Sequence, residues 1–242
     1  VSRIVVPEGV PGNTKAERVR AMFGQIVPRY DLMNHLMTFG LDQQWRETAA
    51  RFASPRDAVA LDVGTGTGDL AIELARCSAR SVVAVDFVED MLAVARSKVR
   101  ATRCERTIRL VNADALQLPF GDATFDVVVN GFLLRNLADL DHGLAEMARV
   151  IRPGGRLVCL ELTHPPCALA PAFDLYFGKL VPRLGGLLTG RRLAYEYLPA
   201  SLAPLPDPAT LAAKLRGLGF ENAGYYLRGA GTVAIHVAAN RG

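Results

Sequence analysis

The chain has 242 residues, 50% of them hydrophobic and 21% charged, which is the balance of a globular protein with enough apolar material for one large α/β domain. Its apolar runs are short and divided by charges or glycines, which excludes helices that cross a membrane, and residues 1–16 have no apolar centre of the kind a secretory signal needs. The formal charge of +4 is scattered, so nucleic acid is not an expected partner; Cys77, Cys104, Cys159 and Cys167 lie too far apart for a zinc site or a redox pair, so no metal is expected and the compartment is expected to be cytoplasmic.

From Thr14 to Ala53 the pattern is helical. Val19, Met22, Phe23 and Ile26 recur at helical spacing before Pro28 interrupts, and Leu41 to Phe52 predicts a second helix; together they form an amino-terminal cap over residues 14–53. Strands and helices then alternate through residues 57–162. A strand over Ala58–Val63 leads into a glycine turn and a helix reaching Ala79; Ser81–Asp86, a helix over Glu89–Arg100, and Thr107–Asn112 follow. Repeated βαβ units imply a parallel sheet. Phe125–Asn130 and Arg156–Leu162 are nearly continuous apolar runs, as central strands covered on both faces require, and Arg152-Pro-Gly-Gly155 reads as a helix stop and a tight turn before the second of them.

Between residues 165 and 206 the alternation stops. This insertion carries Phe173, Tyr176, Phe177, Leu180, Val181 and Leu184 at helical spacing, with Lys179 and Arg183 beside them. Such a face suits the wall of a pocket for an apolar tail, a peripheral contact with a membrane surface, or packing on the domain or on a second subunit of a homodimer. Residues 207–239 complete the chain with a helix over Leu211–Leu218 and two strands, Phe220–Leu227 and Thr232–Ala238, made antiparallel by the short Arg228–Gly231 turn. The expected architecture is a single domain over residues 1–242: a doubly wound, seven-stranded, mostly parallel α/β sheet with a helical cap and an insertion before the last two strands.

The turn Gly64-Thr-Gly66-Thr-Gly68-Asp69 joins a strand to a helix, where glycines let a ligand approach the backbone. Read from Gly66 it also fits a dinucleotide template, with Asp86 placed as a ribose-binding acid, so NAD is a competing occupant. Asp69 separates the two. A carboxylate at the helix amino terminus repels a pyrophosphate and attracts the sulfonium and ammonium of S-adenosylmethionine, and a role as helix cap can coexist with this. Asp86 ends the second strand, where it can accept from ribose hydroxyls, and Asp114 follows the third, where it can accept from an adenine amino group.

With these residues placed, the chain resembles the class I methyltransferases, and among them the ubiquinone/menaquinone biosynthesis C-methyltransferases, from about Val19 to Ala239. Tyr30-Asp-Leu-Met-Asn34 with Trp45 looks like that family's first signature and Arg149–Glu161 like its second; Leu134-Arg-Asn136, Pro206-Asp207 and Val233–His236 add to the likeness. The resemblance implies that S-adenosylmethionine is the cofactor, that Thr67, Asp86, Asp114 and Ala115 contact it, and that Gly131, where relatives often carry serine, does so through its backbone. It further implies methyl transfer to a ring carbon of a polyprenylated hydroquinone, most simply demethylmenaquinol. The departures fall on the substrate side. Asp42 stands in place of a histidine, Leu133 of a glycine, Leu162 and Thr163 of phenylalanine and serine, Ala200 and Ala203 of glutamate and arginine, and Leu227 and Gly229 of asparagine and threonine.

The chemistry needs an electron-rich carbon aligned with the methyl group, and a hydroquinone, whose hydroxyl has a pKa near ~10, needs a base or a cation to bring charge onto that carbon. Arg135, after the fourth strand, is expected to supply the cation, unless it is spent in a salt bridge to Asp139 or Glu161. His236 is a candidate base, although a histidine within a strand is more often a hydrogen-bonded core residue, and Tyr30, Asn34 and Asn136 are expected at the substrate or in a lid over the cofactor. A methyltransferase of another small aromatic or lipid acceptor, an NAD-dependent oxidoreductase and a non-catalytic cofactor-binding module are the competing readings.

Overall fold

The computed structural model describes residues 14–166, 168–189 and 192–241; the stretch before residue 14 and Cys167 lie outside them. Thr14 opens α1 (Lys15–Ile26) with a capping box, its hydroxyl accepting from the Glu17 amide while the Glu17 carboxylate accepts from Thr14 N–H. Pro28 then forces a short tight turn over Val27–Arg29 before α2 (Tyr30–Met37), and Gly40, at φ +78°, reverses the chain into α3 (Leu41–Ala53).

The core alternates β1 (Val59–Val63), α4 (Asp69–Arg76), β2 (Ser81–Asp86), α5 (Glu89–Ala101), β3 (Ile108–Asn112), β4 (Phe125–Gly131), α6 (Leu140–Val150) and β5 (Ile151–Leu162). The insertion contributes α7 (Ala170–Leu175), a widened helical turn over Tyr176–Leu180, α8 (Val181–Thr189) and α9 (Arg192–Leu202). Asp207 caps α10 (Pro208–Gly217) through the amides of Ala209 and Thr210; β6 (Phe220–Arg228) and β7 (Val233–Asn240) close the fold.

The seven strands lie in the order β3-β2-β1-β4-β5-β7-β6, and β7 alone runs against the rest. The central strands are apolar because helices cover both faces: in β1, β4 and β5, Leu61, Val63, Val128, Val129, Leu157 and Val158 are fully buried. Strand order reverses between β1 and β4, which leaves a crevice at their carboxyl ends.

Two sequence expectations need correction. The Arg152–Gly155 segment is not a turn ahead of a strand: β5 already begins at Ile151, and the register against β4 jumps from Phe125↔Ile151 to Val127↔Arg156. The extra residues form a bulge, with Gly154 at φ +76° and Gly155 so close to Ile151 and Asp126 that a Cβ would come within 2.8 Å of them. The apolar stripe of the insertion is not one face either. The wide turn over Tyr176–Leu180 breaks the helical phase, so Val181 packs with Met33 and Tyr195, with Tyr176 and Phe177 against them, whereas Leu180 and Leu184 face outward. The insertion is thereby docked on α2.

Candidate active site

Two cavities meet at the crevice. The first is lined by Gly64 and Gly66 after β1, Asp86 to Val88 after β2, Met91 of α5, Ala113 to Leu116 after β3, and Gly131 to Leu133 after β4; Ala16, Val19 and Phe23 of α1 cover it. Gly64, Gly66 and Gly68 all have positive φ, which favours glycine. A Cβ on Gly64 would strike Leu133 at 2.7 Å, whereas one on Gly66 would meet nothing within 4 Å; at Gly66 the backbone is bared to the cavity.

Asp86 is buried at the cavity wall. One carboxylate oxygen accepts the Gly66 amide (2.8 Å) and the other the Val88 amide (2.9 Å), which fixes the turn and leaves lone pairs for a ligand. Burial pushes its pKa up against those hydrogen bonds. Asp114 and Ala115 line the same cavity at the far end, among Phe87, Met91 and Leu116, a setting suited to a flat aromatic base with a polar edge.

Thr67 and Asp69 do not line it. The Thr67 hydroxyl donates to Asp31 of the cap (2.6 Å), and Asp69 forms an ion pair with Lys98 of α5, which also reaches Asp31 (3.0 Å). Asp69 is therefore not the free carboxylate expected at the turn. Two carboxylates nevertheless share one ammonium there, and this excess of negative charge beside the amino terminus of α4 still disfavours a pyrophosphate.

The second cavity is lined by Tyr30, Asn34, Phe39, Asp42, Trp45 and Arg46 of the cap, by Phe132 and Arg135 after β4, and by Tyr176 and Phe177 of the insertion, among others. Tyr30 and Phe132 line both cavities and are their common wall. Phe132 sits at φ +59°, a strained conformation held by its amide to Leu160 (2.7 Å) and by its carbonyl, which accepts from Arg135 (2.9 Å) and Asn136 (3.0 Å). Burial raises the Tyr30 hydroxyl's pKa, partly offset by Arg46, Asn34 and Arg135.

Arg135 is buried and paired with Glu161, itself buried, whose other oxygen accepts the Arg135 amide. The salt bridge foreseen as an alternative is thus formed, yet the guanidinium still lines the second cavity and its Nε has no partner among the described residues. Asn136 lines the first cavity and Asn34 the second. His236 lies apart from both. It is buried on β7 under α10, where Nε2 meets the Pro208 carbonyl (3.0 Å) and burial lowers its pKa, so it is a core histidine and not a base at the site.

Sequence reasoning missed Asp62, fully buried at the end of β1 with Oδ2 bound by Thr65 (2.6 Å) and Oδ1 without a partner among the described residues. Desolvation raises its pKa to about 7. A carboxyl with a folded pKa above its unfolded value of ~3.9 holds a proton that the unfolded chain releases, so its contribution to stability falls as pH rises from about 4 to about 7. Urea midpoints of the ligand-free protein are expected to drop between pH 5 and pH 8, and to drop less in Asp62→Asn; equal slopes would count against this.

A model of the ubiE/COQ5 methyltransferase family matches residues 12–240 of the chain. Among curated relatives, a demethylmenaquinone methyltransferase of Deinococcus radiodurans is 48% identical over 85% of this chain and 86% of its own, and one of Thermus thermophilus is 45% identical over 89% and 98%. A ubiquinone/menaquinone biosynthesis C-methyltransferase UbiE of a Geobacter species is 37% identical over 92% and 96%. Solved structures share the fold at lower identity. A SAM-dependent methyltransferase of Aquifex aeolicus superposes with a TM-score of 0.60 at 18% identity over 82% of this chain and 91% of that one. The [4+2]-cyclase SpnF does so with 0.63 at 19% over 97% and 99%, which shows that this fold does not by itself fix the chemistry.

Proposed function

From the premise that the chain belongs to the ubiE/COQ5 methyltransferase family and is an S-adenosylmethionine-dependent methyltransferase, we propose that it methylates a ring carbon of a polyprenylated hydroquinone, demethylmenaquinol, to give menaquinol. The observation that carries the reading is the shared wall of Tyr30 and Phe132. It sets a nucleotide-shaped cavity against a largely apolar one that holds a buried arginine.

The residues present fit the cofactor: the bared Gly66 backbone, the Asp86 carboxylate with free lone pairs, and Asp114 at the edge of an apolar slot. Gly64, Gly66 and Gly131 would hold the amino-acid end by their backbones, Asp86 the ribose, and Asp114 with Ala115 the adenine. Bound there, S-adenosylmethionine supplies an electrophilic methyl group. Arg135, held by Glu161, places positive charge where a ring oxygen gains negative charge, and Tyr30, Phe132 and Trp45 exclude water from the aligned ring. Incubation with labelled donor and demethylmenaquinol tests the assignment. A product labelled on ring carbon is expected; label on oxygen, or no label, would overturn it.

We further propose that the acceptor reaches its cavity from a membrane surface. Among the described residues no helix is long and apolar enough to cross a bilayer. Phe39, which lines the cavity, is 80% exposed, and Leu36, Leu175, Leu180 and Leu187 are exposed on the cap and insertion, with Lys179 and Arg183 exposed beside them. Flotation with anionic vesicles is expected to carry the protein, and Phe39→Ser with Leu187→Ser to release it. Absence of flotation, with a dimer in sedimentation, would assign the face to a second subunit instead.

A further inference from the structure

Among the described residues lining the second cavity there is one carboxylate, Asp42. It is buried, and both oxygens are already oriented: Oδ1 accepts the Thr38 hydroxyl (3.0 Å) and Oδ2 the Arg46 guanidinium (2.5 Å). A carboxylate offers about four lone-pair sites, so it can still accept from a ligand. Behind it, away from the cavity lining, His35 Nδ1 lies 3.5 Å from Asp42 Oδ1, and the His35 side chain is 54% exposed. The imidazole is seated over Gly40, where any Cβ would come within 2.9 Å of its ring. A buried carboxylate is thus in contact on one side with the cavity and on the other with a solvent-exposed imidazole.

We propose that Asp42 accepts the hydroxyl proton of the acceptor ring and that His35 passes it to solvent; this rests on the reading of the second cavity as a hydroquinone site. As the O–H bond breaks, its electron pair moves into the ring, the carbon–methyl bond forms and the sulfur–methyl bond breaks, leaving a neutral thioether and a cyclohexadienone. Loss of the ring C–H proton and return of one to oxygen restore the aromatic hydroquinone. One proton leaves per methyl transferred, and no redox partner is consumed. Arg46 on α3 pairs with Asp42; His35 on α2 is the exit, and Tyr30, Tyr176 and Arg135 are the other charged or titratable groups lining the cavity among the described residues.

The full chain, S-adenosylmethionine and a naphthohydroquinone lacking the ring methyl test this. Trp45, the single tryptophan, lines the same cavity, so its fluorescence reports acceptor binding separately from turnover. Asp42→Asn is expected to lower turnover at least about a hundredfold, the scale of a lost general base, with donor affinity kept and Asp42→Glu restoring part of the rate. His35→Gln is expected to lower turnover about tenfold and to recover in added imidazole. Turnover of Asp42→Asn within about threefold of the parent, or His35→Gln unaffected by its change, would overturn the proton path while quenching of Trp45 upheld the cavity. No quenching in the parent would remove the cavity reading and the path with it. Should Asp42→Asn leave Arg46 too exposed to folding cost, the surface variant His35→Gln carries the test.

Discussion

Replacing Arg135 and Glu161 together by glutamine is expected to leave the affinity for S-adenosylmethionine within about threefold of the parent and to lower methyl transfer at least about a hundredfold, the loss typical of removing one preorganised charge-stabilising donor. The double change matters. Arg135→Ala alone would leave Glu161, 1% exposed, as an uncompensated buried charge, at a cost of about 3–5 kcal/mol, and a fall in activity would then be confounded with unfolding. Glutamine at both positions keeps the volume and the capacity to hydrogen-bond while removing both charges. Single-turnover rates at saturating donor isolate the chemical step. A near-normal rate would show that the Arg135–Glu161 pair only braces the loop after β4.

The other large effect is expected at Asp86. Two hydrogen bonds from ribose hydroxyls to an ionised carboxylate contribute about 1.5–3 kcal/mol each, so Asp86→Ala is expected to weaken adenosylhomocysteine at least about a hundredfold in calorimetry. Because Asp86 also accepts the Gly66 and Val88 amides, some of this loss reflects a loosened turn. Asp114, whose carboxylate among the described residues accepts the Leu116 amide of its own loop, provides the comparison, and Asp114→Ala is expected to cost less. Undiminished binding by Asp86→Ala would displace the ribose from this strand end.

The sheet and the nucleotide crevice were legible because their signals are local. Strands such as Phe125–Asn130 are continuous apolar runs, and the glycines of the turn cluster within five residues of one another. What was not legible depends on partners distant in sequence. Asp69 looks free beside its neighbours, but Lys98 reaches it from α5, and Asp31 reaches Thr67 from the cap. For His236 the sequence leaves a base and a core residue side by side, and only the packing of α10 over it decides for the core. Asp42 stood out only as a departure from the resembled family, since its burial and its pairing with Arg46 depend on how α2, α3 and the second cavity come together. The bulge at Gly154 was mistaken for a turn because glycine and proline mark both, and only the register with β4 separates them.

The helix that covers the first cavity has a dynamic consequence. Lys15, partly buried at the start of α1, donates to the carbonyls of Arg135 and Leu137, so the roof is tied directly to the loop bearing Arg135. Any displacement of the start of α1 would break those ties and free the neighbouring loop in the same event. The cover over the first cavity and the loop beside the second are therefore expected to loosen together and not independently.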